Sequence, residues 1–430
     1  MRTKRSFAIE NVADFKKKLL KWGNTFPEIV WLDSNLDSSE NSEFEAVLAV
    51  EAFTAIKTDY HHAFDKLKEY QQTTKDWIFG YLSYDLKNDV ERLKSSNYDG
   101  LQFPDLYFFQ PQKLVFLKEH TAEFVYLKMV DDEIDADYEQ ILNTALHTEI
   151  AHEQIDIQSR ISKEDYLKKV DAMLEHIHRG DIYEANLCQE FFAEHVELNA
   201  FSIYQSLNEI STPPFAAFLR LENINLVSAS PERYLRKKGD QLLTQPIKGT
   251  ARRSANPRED REIAMKLARD PKEISENVMI VDLVRNDLSR IAEKGSVKVD
   301  ELCKVYSFKQ VHQMISTVTA TIANGIEPVE ALRTSFPMGS MTGAPKISAM
   351  KIIEELESTK RGLYSGAVGY FSPAGDFDFN VVIRSILYNS NTKYLSFSVG
   401  GAITAKSNPQ MEYEECLLKS KALREVLENL

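Results

Sequence analysis

AVGYFSPAGDFDFNVVIRSILYNSNTKYLSFSVGGAITAKSNPQMEYEECLLKSKAL, residues 367–423, passes through three strand-like segments before it reaches a helix. AVGYF, FNVVIRSILY and YLSFSVGGAIT are enriched in β-branched and aromatic residues, as strands are. Working outward, PFAAFLRL (214–221) and NLVSAS (225–230) carry the same signature, as do the short apolar runs IFGY (78–81) and LVFL (114–117). In SKEDYLKKVDAMLEHIHRG (162–180), Ser162 and Asp165 form a capping pair. Leu167, Val170, Leu174 and Ile177 then share a helical face, and Gly180 supplies the stop. The acidic run DDEIDADYEQ (131–140) is expected to be a solvated connection or helix start. Strands and helices are therefore mixed without a strict βαβ alternation, which predicts an α+β fold rather than a doubly wound sheet.

The chain has 430 residues, 43% of them hydrophobic and 27% charged, an ordinary globular composition with ample material for a large core. Its net charge of −13 argues against nucleic acid or an anionic membrane as partner. It leaves room for a small anionic substrate, which needs only a local group of cations. Cys188, Cys303 and Cys416 are odd in number and far apart, as expected of a reducing, cytoplasmic protein without disulfides or a cysteine zinc site. No apolar run approaches the length of a membrane span, and the N-terminus lacks the apolar segment of a secretory signal.

Two segments share an acidic pattern. In DPKEISENVMIVDLVRNDLSRIA, from residue 270, Asp270 is an N-cap, Pro271 fits the first helical position and Glu273 completes a capping box. Ile274, Val278, Val281, Val284 and Leu288 form the expected apolar stripe, and Glu273 and Glu276 share a face. In NPQMEYEECLLKSKAL, from residue 408, Asn408 and Pro409 repeat the cap, Glu412 and Glu415 repeat the spacing, and Lys419 follows Glu415 at i+4. Either pair alone is an ordinary solvated face. Four carboxylates on two helices could instead hold Mg²⁺, which takes oxygen ligands and shares its shell with an anionic substrate.

PIKGT (246–250), KEISENVMIVDLVRNDL (272–288), FPMGSMTGAPK (336–346), RGLYSGAVGYF (361–371), FDFNVVIRS (377–385), VGGAIT (399–404) and EYEECLLK (412–419) together resemble the chorismate-utilising enzymes. The resemblance runs in order from about Ser162 to Leu430. Over residues 1–150 it is weaker, resting on VWLDS (30–34). It implies a single large domain of two packed antiparallel β-sheets flanked by helices. Residues 1–150 would be its N-terminal part and 160–430 the chorismate-binding catalytic region.

The same resemblance implies roles. Glu276 and Glu415 match direct Mg²⁺ ligands, with Glu273 and Glu412 behind them. Gly249 and Thr250 match the site of the ring carboxylate, and Arg384, Tyr364 and Lys419 that of the pyruvyl carboxylate. Backbone N–H groups near Gly400 and Ala402 would add donors, although the family often has Gly where Ala402 stands. Glu232, in SASPERYL, matches the general acid, and His312, in VHQMISTV, a histidine beside the leaving group. Ser34, with Pro214, Phe215 and Ala216, matches a pocket for a tryptophan-type ligand.

Within the family, PIKGT resembles the branch that forms 4-amino-4-deoxychorismate, whereas anthranilate-forming members read PIAGT. That resemblance implies Lys248 as a covalent nucleophile, which must be neutral at the moment of attack. The isochorismate and salicylate branch places a water-activating lysine where YEANL has Glu184, so no base is expected there to activate water. With no glycine-flanked cysteine, no glutaminase is evident in the chain. The resemblance implies that ammonia comes from a separate glutamine amidotransferase subunit or from solution. Anthranilate formation is the alternative activity, and a non-catalytic subunit of an amidotransferase complex a third reading.

Overall fold

The computed structural model describes residues 2–35, 43–146, 154–309 and 311–428. Among them, every strand-to-strand pairing is antiparallel and all strands join one network. Strand Leu106–Lys118 is its corner. One edge pairs along Ala46–Thr58, while the other is shared, its first residues with Ile78–Leu82 and its last with Thr121–Leu127.

Two wings leave this corner. The first runs from Ala46–Thr58 through Ile29–Asp33, Phe215–Leu221, Ile224–Ser230, Ser385–Asn389 and Tyr394–Thr404 to Glu184–Ala193. The second runs from Ile78–Leu82 through Ala367–Phe371, Phe377–Val381, Arg233–Lys238 and Gln241–Gln245 to Val311–Thr321. That last strand also pairs with Ile247–Arg252 and Lys298–Ser307.

One hydrophobic cluster takes Val30, Val47, Leu219 and Leu226 from the first wing and Leu235, Val318, Val368 and Phe379 from the second. The wings therefore pack face to face, as two sheets joined at one corner. The opposite face of the first wing, with Ile29, Trp31, Leu48, Phe218 and Phe397, buries Phe15, Tyr166, Tyr204 and Leu423 from four covering helices. Successive side chains of a strand point to opposite faces, so a strand covered on both sides must be apolar throughout. Each such large side chain contributes about 1.5–3 kcal/mol on burial.

Residues from both halves of the chain build both wings. Ile29–Asp33 lies between Ala46–Thr58 and Phe215–Leu221, and Ile78–Leu82 lies beside Ala367–Phe371. The boundary at residue 150 falls outside the described residues. The acidic run begins a short helix, Ile134–Leu142. Helix Lys163–Arg179 carries the expected Ser162 cap and ends on Gly180 at φ +85°.

Two sequence expectations need correction. FNVVIRSILY is not one strand, because Phe377–Val381 belongs to the second wing and Ser385–Asn389 to the first. The chain crosses between the sheets at 382–384, with Arg384 at φ +51°. The stripe proposed for helix Pro271–Ser289 is also rotated: Val278 is exposed, and the buried face carries Glu276, Asn277 and Asp287 beside Ile280, Val281, Val284 and Leu288. Periodicity places apolar residues inward by default. Here part of the inward face serves polar groups.

Among the described residues, no helix is long and apolar enough to cross a membrane, and the three cysteines are unpaired.

Candidate active site

The strand Ile247–Arg252 shifts register against Val311–Thr321 between Lys248 and Thr250. Gly249 sits in that irregularity at φ +78°, and a Cβ there would come within 3.1 Å of Glu273 Oε2. Glycine thus serves twice, permitting the left-handed backbone and letting the helix carboxylate approach. Thr250 is exposed and Lys248 half-buried. The Lys248 ammonium makes no side-chain hydrogen bond among the described residues. Its charge nonetheless acts on five carboxylates, Glu184, Glu232, Glu273, Glu276 and Glu415.

Glu232 follows the strand Ile224–Ser230 and is 5% exposed. Burial pushes its carboxyl up to about 7, against the pull of the Ser340 hydroxyl, the Lys248 and Arg384 charges and the Ile247 N–H. A carboxyl neutral at pH 7 can donate a proton, so this position has the chemistry of a general acid. Arg384 reaches the same place because the chain crosses between sheets there. Burial lowers its pKa and the neighbouring Glu232 raises it.

The four glutamates of the paired helices converge from two sides. Glu273 and Glu276 rise from helix Pro271–Ser289, whose Asp270 cap accepts from Lys272 N and Glu273 N. Glu412 and Glu415 come from helix Pro409–Glu428. Gly401 lies beneath the second pair, and a Cβ there would meet Glu412 Oε2 at 3.3 Å and Glu415 Oε1 at 3.7 Å. Glu276 is 8% exposed, and its Oε1 has no hydrogen-bond partner. Burial pushes this carboxyl up to about 7, opposed by Lys248 and Lys272. Burial also raises Glu273. Glu415 is held below its ordinary value: burial would raise it, but the Lys419 ammonium 2.8 Å away outweighs that.

Among the described residues, no three acidic, histidine or cysteine groups already form a tight ligand cluster. The donors nevertheless suit a hard divalent cation: all are carboxylate oxygens, and one is buried without a partner.

Beside the second glutamate pair stand Lys419 and the strand Tyr394–Thr404. Lys419 Nζ donates to Gly400 O at 2.8 Å. In the pairing with Glu184–Ala193, Gly400 faces Cys188 and Ala402 faces Asn186. The N–H groups of Cys188 and Asn186 are committed elsewhere, to Glu357 Oε1 and Thr342 O. Because hydrogen-bonded and non-bonded pairs alternate in an antiparallel ladder, Gly400 and Ala402 direct their N–H groups to the other edge. The neighbouring strand on that edge pairs only as far as Ser396. Tyr364 is buried and its hydroxyl lies 3.5 Å from Cys188 Sγ.

The structure does not bring His312 into contact with Glu232. Both its ring nitrogens are engaged, Nε2 with Asp260 at 3.0 Å and Nδ1 with the Ser307 hydroxyl at 2.8 Å. Ser34, Pro214, Phe215 and Ala216 meet in a separate cavity that Asp33 and Arg233 also line. They meet because Asp33 and Ala216 are register partners.

Sequence reasoning missed two residues. Glu184, expected to leave its position without a base, is a carboxylate 1% exposed with Oε2 unpartnered. Burial raises its pKa and the Lys248 charge opposes that. Lys272 stands at the mouth of the four-glutamate group, 3.8 Å from Glu276 Oε1 and 3.6 Å from Glu412 Oε1. A lysine in the first turn of a helix works against the helix dipole, and that was the available signal.

Residues 27–425 match the model of the chorismate binding enzymes. The chain is 37% identical to an aminodeoxychorismate synthase of Streptomyces griseus over 82% of this chain and 50% of that protein, so it spans half of that relative's length. It is 36% identical to aminodeoxychorismate synthase component 1 of Salmonella typhimurium, over 81% of this chain and 76% of that one. Its structure resembles anthranilate synthase component I from Streptococcus pneumoniae with a TM-score of 0.78, at 26% identity, covering 90% of this chain and 93% of the other.

Proposed function

This chain belongs to the chorismate binding enzyme family, and on that premise we propose that it converts chorismate and ammonia to 4-amino-4-deoxychorismate through a covalent intermediate on Lys248. The observation that carries the reading is the place of Lys248. Its side chain makes no hydrogen bond among the described residues, while its charge acts both on Glu232 and on carboxylates of the two helices.

Lys248 gives its proton to Glu184, whose burial favours the neutral form. The amine then attacks C2 of chorismate. The ring double bonds shift, the C4–O bond breaks, and Glu232 supplies the proton with which the hydroxyl departs as water. Ammonia next forms a bond to C4, the double bonds shift back, and the C2–N bond to Lys248 breaks. Arg384, Lys419 and the Gly400 and Ala402 amides bind the pyruvyl carboxylate. Gly249 and Thr250 border the ring carboxylate. Glu276 and Glu415, backed by Glu273 and Glu412, would hold Mg²⁺, which when bound would supply positive charge for the ring carboxylate.

Ammonia is delivered by a glutaminase subunit. The "component 1" in the name of the Salmonella relative supports such a division of labour.

The test is incubation with chorismate, Mg²⁺ and ammonium, with products identified by mass. Aminodeoxychorismate retains the pyruvyl group and anthranilate has lost it. Anthranilate as the main product would move the chain to the activity named for the pneumococcal structure.

A further inference from the structure

We infer that Lys272 is an internal counter-cation of the four-glutamate group, and that a divalent metal displaces it on binding. The inference rests on the metal-binding reading above. Lys272 is the second residue of helix Pro271–Ser289. A cation there opposes the positive end of the helix dipole, so its presence needs a compensating interaction. That interaction is not a hydrogen bond. The ammonium stands 3.8 Å from Glu276 Oε1 and 3.6 Å from Glu412 Oε1, beyond hydrogen-bond reach of either. The charges of Glu412, Glu276, Glu415 and Glu273 all act on it. It answers the group as a whole and no member in particular.

A second observation points to a ligand. Glu276 Oε1 is buried and has no hydrogen-bond partner, and Glu276 is 8% exposed, so this oxygen faces the group with its lone pairs uncommitted. Lys272 balances the charge from a distance and leaves the oxygen unused. A hard cation could bind it directly. The Lys272 side chain is 43% exposed, so it can swing into water as the metal enters. Lys248 acts on Glu273, Glu276 and Glu415 from the strand side. With a lysine on each side, the carboxylates stay together without metal, and the metal must compete for them.

The test uses the whole chain as wild type, Lys272→Gln and Lys272→Arg. Mg²⁺ alone is titrated by calorimetry, and thermal unfolding is followed in chelator and at saturating Mg²⁺. Removing a half-exposed competing charge should tighten Mg²⁺ binding by about tenfold in Lys272→Gln, a discounted figure for a solvent-screened pair, while Lys272→Arg keeps wild-type affinity. In chelator, Lys272→Gln should melt below wild type because its carboxylates repel without balance, and saturating Mg²⁺ should close the gap. Unchanged or weaker Mg²⁺ binding in Lys272→Gln, with wild type binding normally, overturns the inference and leaves the metal reading standing. An equal loss of melting temperature with and without Mg²⁺ also overturns it, since that is what a purely structural lysine gives. Absence of Mg²⁺ binding in all three proteins overturns both.

Discussion

Replacing Glu232 by Gln keeps the shape and a hydrogen-bonding head but removes the titrating proton. The carboxyl ordinarily ionises near 4.5, and burial pushes it up to about 7. At about 1.4 kcal/mol for each tenfold change in the proton equilibrium, the ionised form costs the fold about 3 kcal/mol. On raising the pH, the unfolded chain gives up this proton first. Between pH 4.5 and about 7 the folded state therefore holds an extra proton, so stability falls through that window and levels off above it. Glu232→Gln has no such proton. Its stability relative to wild type should rise by about 2.5 kcal/mol between pH 5 and pH 8, the part of the window those pH values span. Other groups, including Glu276, titrate alike in both proteins and drop out of the comparison. Denaturant unfolding of the two proteins at both pH values reads this directly. With free ammonia held constant and saturating at every pH, wild-type turnover should fall about tenfold per pH unit above 7 as the acid is lost. Glu232→Gln should lose about 10²–10⁴ in kcat at pH 7, the worth of a positioned proton donor. Stability curves that stay parallel would show that Glu232 is not held neutral. A wild-type rate that climbs through pH 8 at that constant free-ammonia level would refute its role as the acid.

Lys248→Arg keeps the charge but presents a delocalised cation that does not deprotonate. It should bind chorismate yet make no aminodeoxychorismate, while wild type given chorismate and Mg²⁺ without ammonia gains the mass of the dehydrated substrate; near wild-type turnover by Lys248→Arg, with no adduct on wild type, would reduce Lys248 to a charge. Arg361→Met removes a buried guanidinium that donates to Glu357, Met341 O and Asn186 O. It should cost about 3–5 kcal/mol in denaturant unfolding by leaving Glu357 charged and uncompensated, and Arg361→Met with Glu357→Gln should recover part of that loss.

Composition, capping and the order of strands were enough for the α+β class, and the spacing of Glu273 with Glu276 and of Glu412 with Glu415 marked both carboxylate helices. These are local signals. A cap, an i,i+3 pair and a β-branched run each depend on residues a few positions apart, and the chain states them directly. The lysine of PIKGT was visible for the same reason. Where the first sheet meets the second was not. FNVVIRSILY holds no glycine or proline to mark a turn, and only the pairing of its halves with different wings turns the chain at Arg384 and sends that cation to Glu232. Glu184 and Lys272 were hidden likewise. A carboxylate in a strand and a lysine in a helix are ordinary until other segments surround them. Their partners, Lys248 for the first and Glu412 for the second, lie more than sixty residues away along the chain. Burial and charge balance at a site are sums over everything packed around it. Local pattern carries no record of such sums, so the character of these two residues is set by the tertiary structure alone.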